Sequence, residues 1–177
     1  MSGKIKKQFV DAVNNCLSQM GLPVLMAFHE DSITCLDSEF HYADKPMAIR
    51  VLLDSEDNAV VTLIAYGLVP KEKVTVIHEL VGRINTCLTV SKYVIDPDTG
   101  YLVLQAGMCV TDDVLNEKEV LALLKRMLAD NYRFARVIVE QLKSTSSPAE
   151  VMDKYLREED EPCKCLMNLE EKKCTLH

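Results

Sequence analysis

The amino-acid sequence predicts an α+β fold in which an antiparallel sheet of hairpins is covered by helices. Three observations predict it. Apolar residues recur at helical spacing in three long stretches, β-rich runs come in pairs around short polar turns, and those turns are too short for parallel crossovers. No repeat of fixed period appears, which sets solenoids and propellers aside.

From Ile5 to Met20 the apolar positions Phe9, Val13, Cys16, Leu17 and Met20 mark a first amphipathic helix, stopped by Gly21 and Pro23. Val24 to Phe28 and Ser32 to Leu36 flank the polar His29-Glu30-Asp31 and read as a hairpin. Met47 to Asp54 and Ala59 to Leu68 form a second hairpin around Ser55-Glu56-Asp57-Asn58, whose side chains favour turns through local hydrogen bonds. Pro70 suits a first helical turn, where its missing N–H costs nothing. Val74, Ile77, Val81, Ile84 and Leu88 then follow at steps of three and four. That stripe suits either a sheet beneath it or another helix across a twofold axis.

Tyr93 to Asp96 and Tyr101 to Cys109 enclose Pro97-Asp98-Thr99-Gly100, a turn in which proline presets one angle and glycine accepts positive φ. Asn116 can cap a final helix whose Glu119 reaches back, and Val120, Leu124, Met127, Phe134, Ile138 and Leu142 carry its apolar face to about Lys143. The Ser144 to Pro148 cluster marks the domain boundary. Residues 1–143 are expected as the domain and residues 144–177 as a charged, cysteine-bearing tail. In that tail Val151, Met152, Tyr155 and Leu156 offer at most a short helix before the acidic run Glu158 to Glu161, and loose docking or disorder is expected.

A chain of 177 residues, 48% hydrophobic and 27% charged, can bury a core without disulfides or a metal. The 27 acidic residues against 20 basic ones argue against binding a phosphate backbone, so no nucleic-acid partner is expected. The longest nearly apolar run, Ala59 to Val69, is too short to span a bilayer, and Asp11, Asn14 and Asn15 interrupt any signal-peptide core. A cytoplasmic location and no membrane partner are the expectation. The odd count of seven cysteines then points to reduced thiols, with Cys16, Cys35, Cys87 and Cys109 expected in the interior.

The junction Gly67-Leu68-Val69-Pro70, the helix end Ile84-Asn85, the hairpin Tyr93 to Leu104 and the closing helix Leu121 to Leu142 resemble the YbjN family. The resemblance covers about the first four fifths of the chain. It implies a type III secretion chaperone-like α+β fold and a small cytoplasmic bacterial protein that binds other proteins or regulates signalling, commonly as a homodimer. It implies no catalytic residues, and no cofactor is expected.

Motifs for chemistry are incomplete. His78-Glu79-Leu80-Val81-Gly82 begins like a zinc-protease helix but has glycine where the second histidine belongs. Asp96, Asp98 and Gly100 suit a hairpin turn better than a calcium loop, because position twelve would be Gly107. His29 and His41 have no local signature linking them to a cysteine nucleophile. The tail residues Cys163, Cys165, Cys174 and His177 offer three thiolates and an imidazole, a donor set suited to tetrahedral zinc; the Cys-x-Cys spacing departs from the usual two-residue turn. Two functions follow as expectations: a noncatalytic protein-interaction module, chaperone-like or regulatory, and a metal- or redox-responsive regulator that uses the tail.

Overall fold

The computed structural model describes residues 3–42, 45–110 and 115–158. Helix α1 (Gly3–Gln19) leads into a four-strand meander, β1 (Val24–Glu30), β2 (Ile33–Tyr42), β3 (Lys45–Asp54) and β4 (Ala59–Leu68). Helix α2 (Val74–Asn85), the hairpin β5 (Ser91–Ile95) and β6 (Tyr101–Cys109), and the long helix α3 (Glu117–Lys143) follow, and α4 (Pro148–Glu158) closes the described chain. All six strands form one antiparallel sheet in the order β1-β2-β3-β4-β6-β5. The antiparallel α+β architecture expected from the sequence is the one observed.

Local chemistry explains the turns. Asp54 Oδ1 accepts from the backbone N–H of Glu56 at 2.9 Å and of Asp57 at 3.3 Å, and Asn58 takes the left-handed conformation that closes the β3–β4 turn. Asp96 repeats the device, accepting from Asp98 at 2.9 Å and Thr99 at 3.0 Å, while Gly100 supplies φ of 72°. At the start of α3, Asn116 Oδ1 accepts from Lys118 N at 3.0 Å and its Nδ2 donates to Glu119 Oε1 at 3.2 Å, the reciprocal cap read from the sequence.

Core and surface segregate by strand parity. Leu36 and Phe40 of β2, Ile49, Val51 and Leu53 of β3, Val60 and Ile64 of β4, and Leu102 and Leu104 of β6 face the helices in a single buried cluster. Phe9 and Leu17 of α1, Ile77, Leu80, Val81 and Ile84 of α2, and Leu124, Met127, Phe134 and Ile138 of α3 join the same cluster. The α2 stripe is therefore packed inside this chain.

Three expectations are corrected. Strand β2 runs on to Tyr42, paired with β3 throughout, although Asp37, Glu39 and His41 break its apolar character; their side chains lie on the face away from the helices, where polarity is tolerated. Cys16 and Cys35 are buried, but Cys87 and Cys109 are exposed, because the first follows the end of α2 and the second ends β6 on the outer parity. Residues 148–158 are a docked helix rather than loose tail. Val151 and Met152 are buried in the core cluster, Ser147 and Glu150 cap the helix start, and Lys154 pairs with Glu140 at 2.7 Å. The packed body thus continues past the boundary expected at residue 143.

Candidate functional site

Among the described helices, those that contribute to the core do so from one side of the sheet, and this leaves the opposite face uncovered. Strand alternation sends every second residue there. The ladder register lines them up in rows across the strands. One row runs Phe28, Cys35, Leu52, Val61 and Gly107; the next runs Met26, Asp37, Arg50, Leu63, Gln105 and Lys92; a third joins Ala65, Val103 and Val94. Leu52, Val61, Leu63, Val94 and Val103 are only half-buried and stand outside the core cluster. A soluble antiparallel sheet with one solvated face ordinarily alternates apolar with polar residues, and here the solvated rows are largely apolar.

A polar lock interrupts this face at its β1–β3 end. Arg50 donates from Nε and Nη2 to the two carboxylate oxygens of Asp37, each at 2.7 Å, and its guanidinium sits 5.7 Å from the Phe28 ring centre. The guanidinium holds the Asp37 carboxyl below the ordinary carboxylate range. Cys35 Sγ donates to Asp37 Oδ1 at 3.3 Å; burial, followed by that bond, raises its thiol pKa to about 12. This cysteine stays a thiol and packs as a small hydrophobe.

At the neighbouring edge, β1 is mostly exposed, with Leu25 and Met26 at 62% and 58%. An edge strand carrying large apolar side chains is a template for an added strand. At the far edge a groove of about 470 Å³ lies between the segment after α2 and β6, lined by Asn85, Leu88, Val90, Lys92, Val61 and Gly107.

A second polar constellation, missed in the sequence, lies beneath α3. Tyr66 donates to Asn131 Oδ1 at 2.5 Å, which commits its only proton and makes Tyr93 the donor in the 3.1 Å bond between the two hydroxyls. Asn85 holds the Tyr93 backbone at 2.8 and 2.9 Å, and Ser91 donates to the buried Asp130 at 2.7 Å. Burial drives both tyrosine hydroxyls well above their ordinary pKa. Two protonated phenols packed ring against ring, 5.6 Å between centres, fasten α3 to the sheet; they offer no nucleophile or base.

The residues singled out in the sequence are not brought together. His78 and Glu79 are exposed on α2, where Glu79 pairs with Arg83 at 2.9 Å. His29 Nδ1 is 3.0 Å from Thr34 Oγ1 on the neighbouring strand, and no cysteine adjoins it among the hydrogen bonds of the described residues. Cys163, Cys165, Cys174 and His177 lie outside the described residues. Within the described residues, no group of three or more His, Cys, Asp or Glu side chains is placed to hold a metal. The open apolar face did leave a sequence signal. Ala59 to Leu68 reads almost continuously apolar where a half-solvated strand should alternate, so both of its faces require cover.

No protein-family model and no curated protein matches this chain. Among solved structures, an uncharacterized protein from Methanothermobacter thermautotrophicus is similar at 14% identity and a TM-score of 0.52, over 75% of this chain and 97% of that one. YbjN from E. coli is similar at 13% identity and a TM-score of 0.48, over 76% of this chain and 89% of that one. ExsC, solved in the ExsC-ExsE complex, is similar at 13% identity and 0.48, over 75% and 95%. YbjN and a type III secretion chaperone complex, anticipated from the sequence, are thus among the structures this chain resembles. At such identities the likeness concerns the fold. No described helix is long and apolar enough to cross a membrane.

Proposed function

We propose that this chain is a noncatalytic protein-interaction module, chaperone-like or regulatory, that docks an apolar segment of a protein partner on the open face of its sheet. One observation carries the reading: Leu52, Val61, Leu63 and Val103 form an apolar surface on the face opposite the helices, outside the core that the fold requires. Burying such a surface against a partner releases about 25 cal/mol for each Å² of apolar area removed from water. The Asp37–Arg50 pair adds polarity at one end of the face, which favours one register of a bound segment over a slipped one. A role for zinc in the tail rests on the donor chemistry of Cys163, Cys165, Cys174 and His177 alone.

The test is photo-crosslinking from the middle of the face. With Leu63→p-benzoylphenylalanine, a defined partner peptide is captured in the native cell; from the exposed helical position Ala129 the same peptide is not. Leu52→Lys combined with Val103→Lys, in a chain of unchanged circular dichroism, abolishes the capture. Equal capture from both positions, or capture that survives the lysines, overturns the reading.

A further inference from the structure

A change of parity in β4 adds two large apolar side chains to one corner of the open face. Val60, Thr62 and Ile64 are buried toward the helices, so Leu68 would follow them inward in an unbroken strand. The register shift between Ala65 and Gly67 reverses that order and sets Leu68 opposite Tyr101. Tyr101 alternates with the buried Leu102 and Leu104, so the pair projects from the open face, Leu68 65% and Tyr101 48% exposed.

Beside that pair runs a lane without charge. Val94 pairs with Val103 and Val103 with Ala65; extending the β3–β4 ladder one residue beyond Ile49 and Ile64 brings Ala48 level with Ala65. Both alanines are exposed. The lane then meets Glu39, which pairs with Ala48 from β2. At the opposite end Lys92 stands on β5, two residues before Val94 and on the same face. Glu39 and Lys92 are exposed, and neither forms an ion pair among the described residues. Asp37 and Arg50, by contrast, neutralise each other. The lane is thus bounded by a free cation and a free anion, four strand spacings or about 20 Å apart.

We infer that the open face selects a partner segment with a charge of opposite sign at each end. An acidic residue sits on Lys92, apolar residues lie along Val94, Val103 and Ala65 beside Leu68 and Tyr101, and a basic residue sits on Glu39. The inference rests on the sheet-face reading above and names the chemistry of its ligand. Unlike charges at the two ends fix the direction of the segment, because the reversed segment sets like charges together at both. An extended segment rises about 3.3 Å per residue, so its two charges fall about six residues apart. Area disfavours a second copy of the chain as the occupant. The lane and its Leu68–Tyr101 border cover about 300 Å², against about 800 Å² buried on each partner in a stable interface.

The test uses the full chain, immobilised, and a phage-displayed library of random twelve-residue peptides. Enriched peptides are expected to carry Asp or Glu and Lys or Arg about six positions apart, with apolar residues between them. Lys92→Glu or Glu39→Lys, each with unchanged circular dichroism, weakens binding of the synthetic peptides at least about fivefold, and reversing the matching peptide charge restores it. Peptides that bind both charge variants as tightly as the parent, yet lose binding to Leu52→Lys combined with Val103→Lys, would overturn this inference and leave the sheet-face reading standing. Peptides that bind that double variant equally well would overturn both. A library without enrichment overturns the inference. So does a parent chain that sediments as a dimer while Lys92→Glu sediments as a monomer, which assigns the face to a second copy.

Discussion

Tyr66 and Asn131 meet at 2.5 Å across the sheet–helix interface, and the bond depends on an irregularity in β4. The register of β4 on β6 shifts between Ala65 and Gly67, and Gly67 takes φ of 99°, a conformation that a side-chain-bearing residue rarely accepts. Tyr66 is the residue at the shift, and its hydroxyl lies under α3. Tyr66→Phe leaves Asn131 Oδ1 buried without a donor, beside an Nδ2 that already has no partner. A loss of about 1–3 kcal/mol in urea unfolding is expected. Adding Asn131→Leu should recover part of it, and strictly additive losses would show that the two residues are not coupled.

The Asp37–Arg50 pair sets an acid limit of known sign. Asp37 has its folded pKa lowered from 3.8, first by the Arg50 hydrogen bonds. A depressed carboxylate contributes stability in full above its unfolded value and loses it as pH falls through the folded value. The contribution is therefore complete above about pH 5 and fades below 3.8. Arg50 is 48% exposed, so solvent screening keeps the contribution below about 1 kcal/mol. Stability of Asp37→Asn should vary less between pH 5 and pH 3 than that of the parent chain; parallel curves would refute the assignment.

The four thiols among the described residues divide into two classes. Burial raises Cys16 to about 11, with the Glu117 charge adding to it, and Cys35 to about 12. Both are thiols at pH 8 and fully enclosed, whereas Cys87 and Cys109 are open to reagent. Brief iodoacetamide treatment of the native chain should alkylate Cys87 and Cys109 and spare Cys16 and Cys35 until denaturant is added. Early modification of Cys35 would mean that its cover by Phe28 and Arg50 opens readily.

Helix α2 decides where a contact with a second copy can lie. Ile77 is fully buried among this chain's own core residues, so Ile77→Glu places an unpaired carboxylate there. The expected result is a chain unfolded by circular dichroism. A folded Ile77→Glu monomer arising from a parent dimer would instead make this stripe a seam between copies.

What the sequence disclosed and what it hid follow from periodicity. The α2 stripe and the Pro97 to Gly100 turn were legible because each depends on neighbours within four residues. The open face left its signal in the continuous apolar run of β4 but not its orientation: in pairs such as Leu52 beside Leu53 and Val60 beside Val61, composition cannot say which of two apolar residues the helices cover. The Tyr66–Tyr93–Asn131 cluster joins positions 27 and 65 residues apart in sequence, a distance at which no local pattern operates. Helix α4 was masked by its charge, because beyond Pro148 at its start Val151 and Met152 are the only buried apolar positions it contributes among its described side chains.

Those two positions supply the last prediction. Helix α4 touches both α2 and α3, and Phe134 on α3 packs against Tyr155, so the helix closes one side of the core that α2 and α3 leave open. Val151 is 3% exposed and Met152 7%, and each loses core contacts when cut back to alanine. Losses of about 1–3 kcal/mol for Val151→Ala and about 2–5 kcal/mol for Met152→Ala are expected in denaturant unfolding. A chain stopped after Lys143 exposes both contact surfaces and should melt well below the full chain. One stopped after Glu158 keeps α4 and should melt above the shorter chain by more than about 4 °C, the shift that corresponds to about 1 kcal/mol at this size. Equal melting of the two truncated chains would show that α4 contributes nothing to the fold.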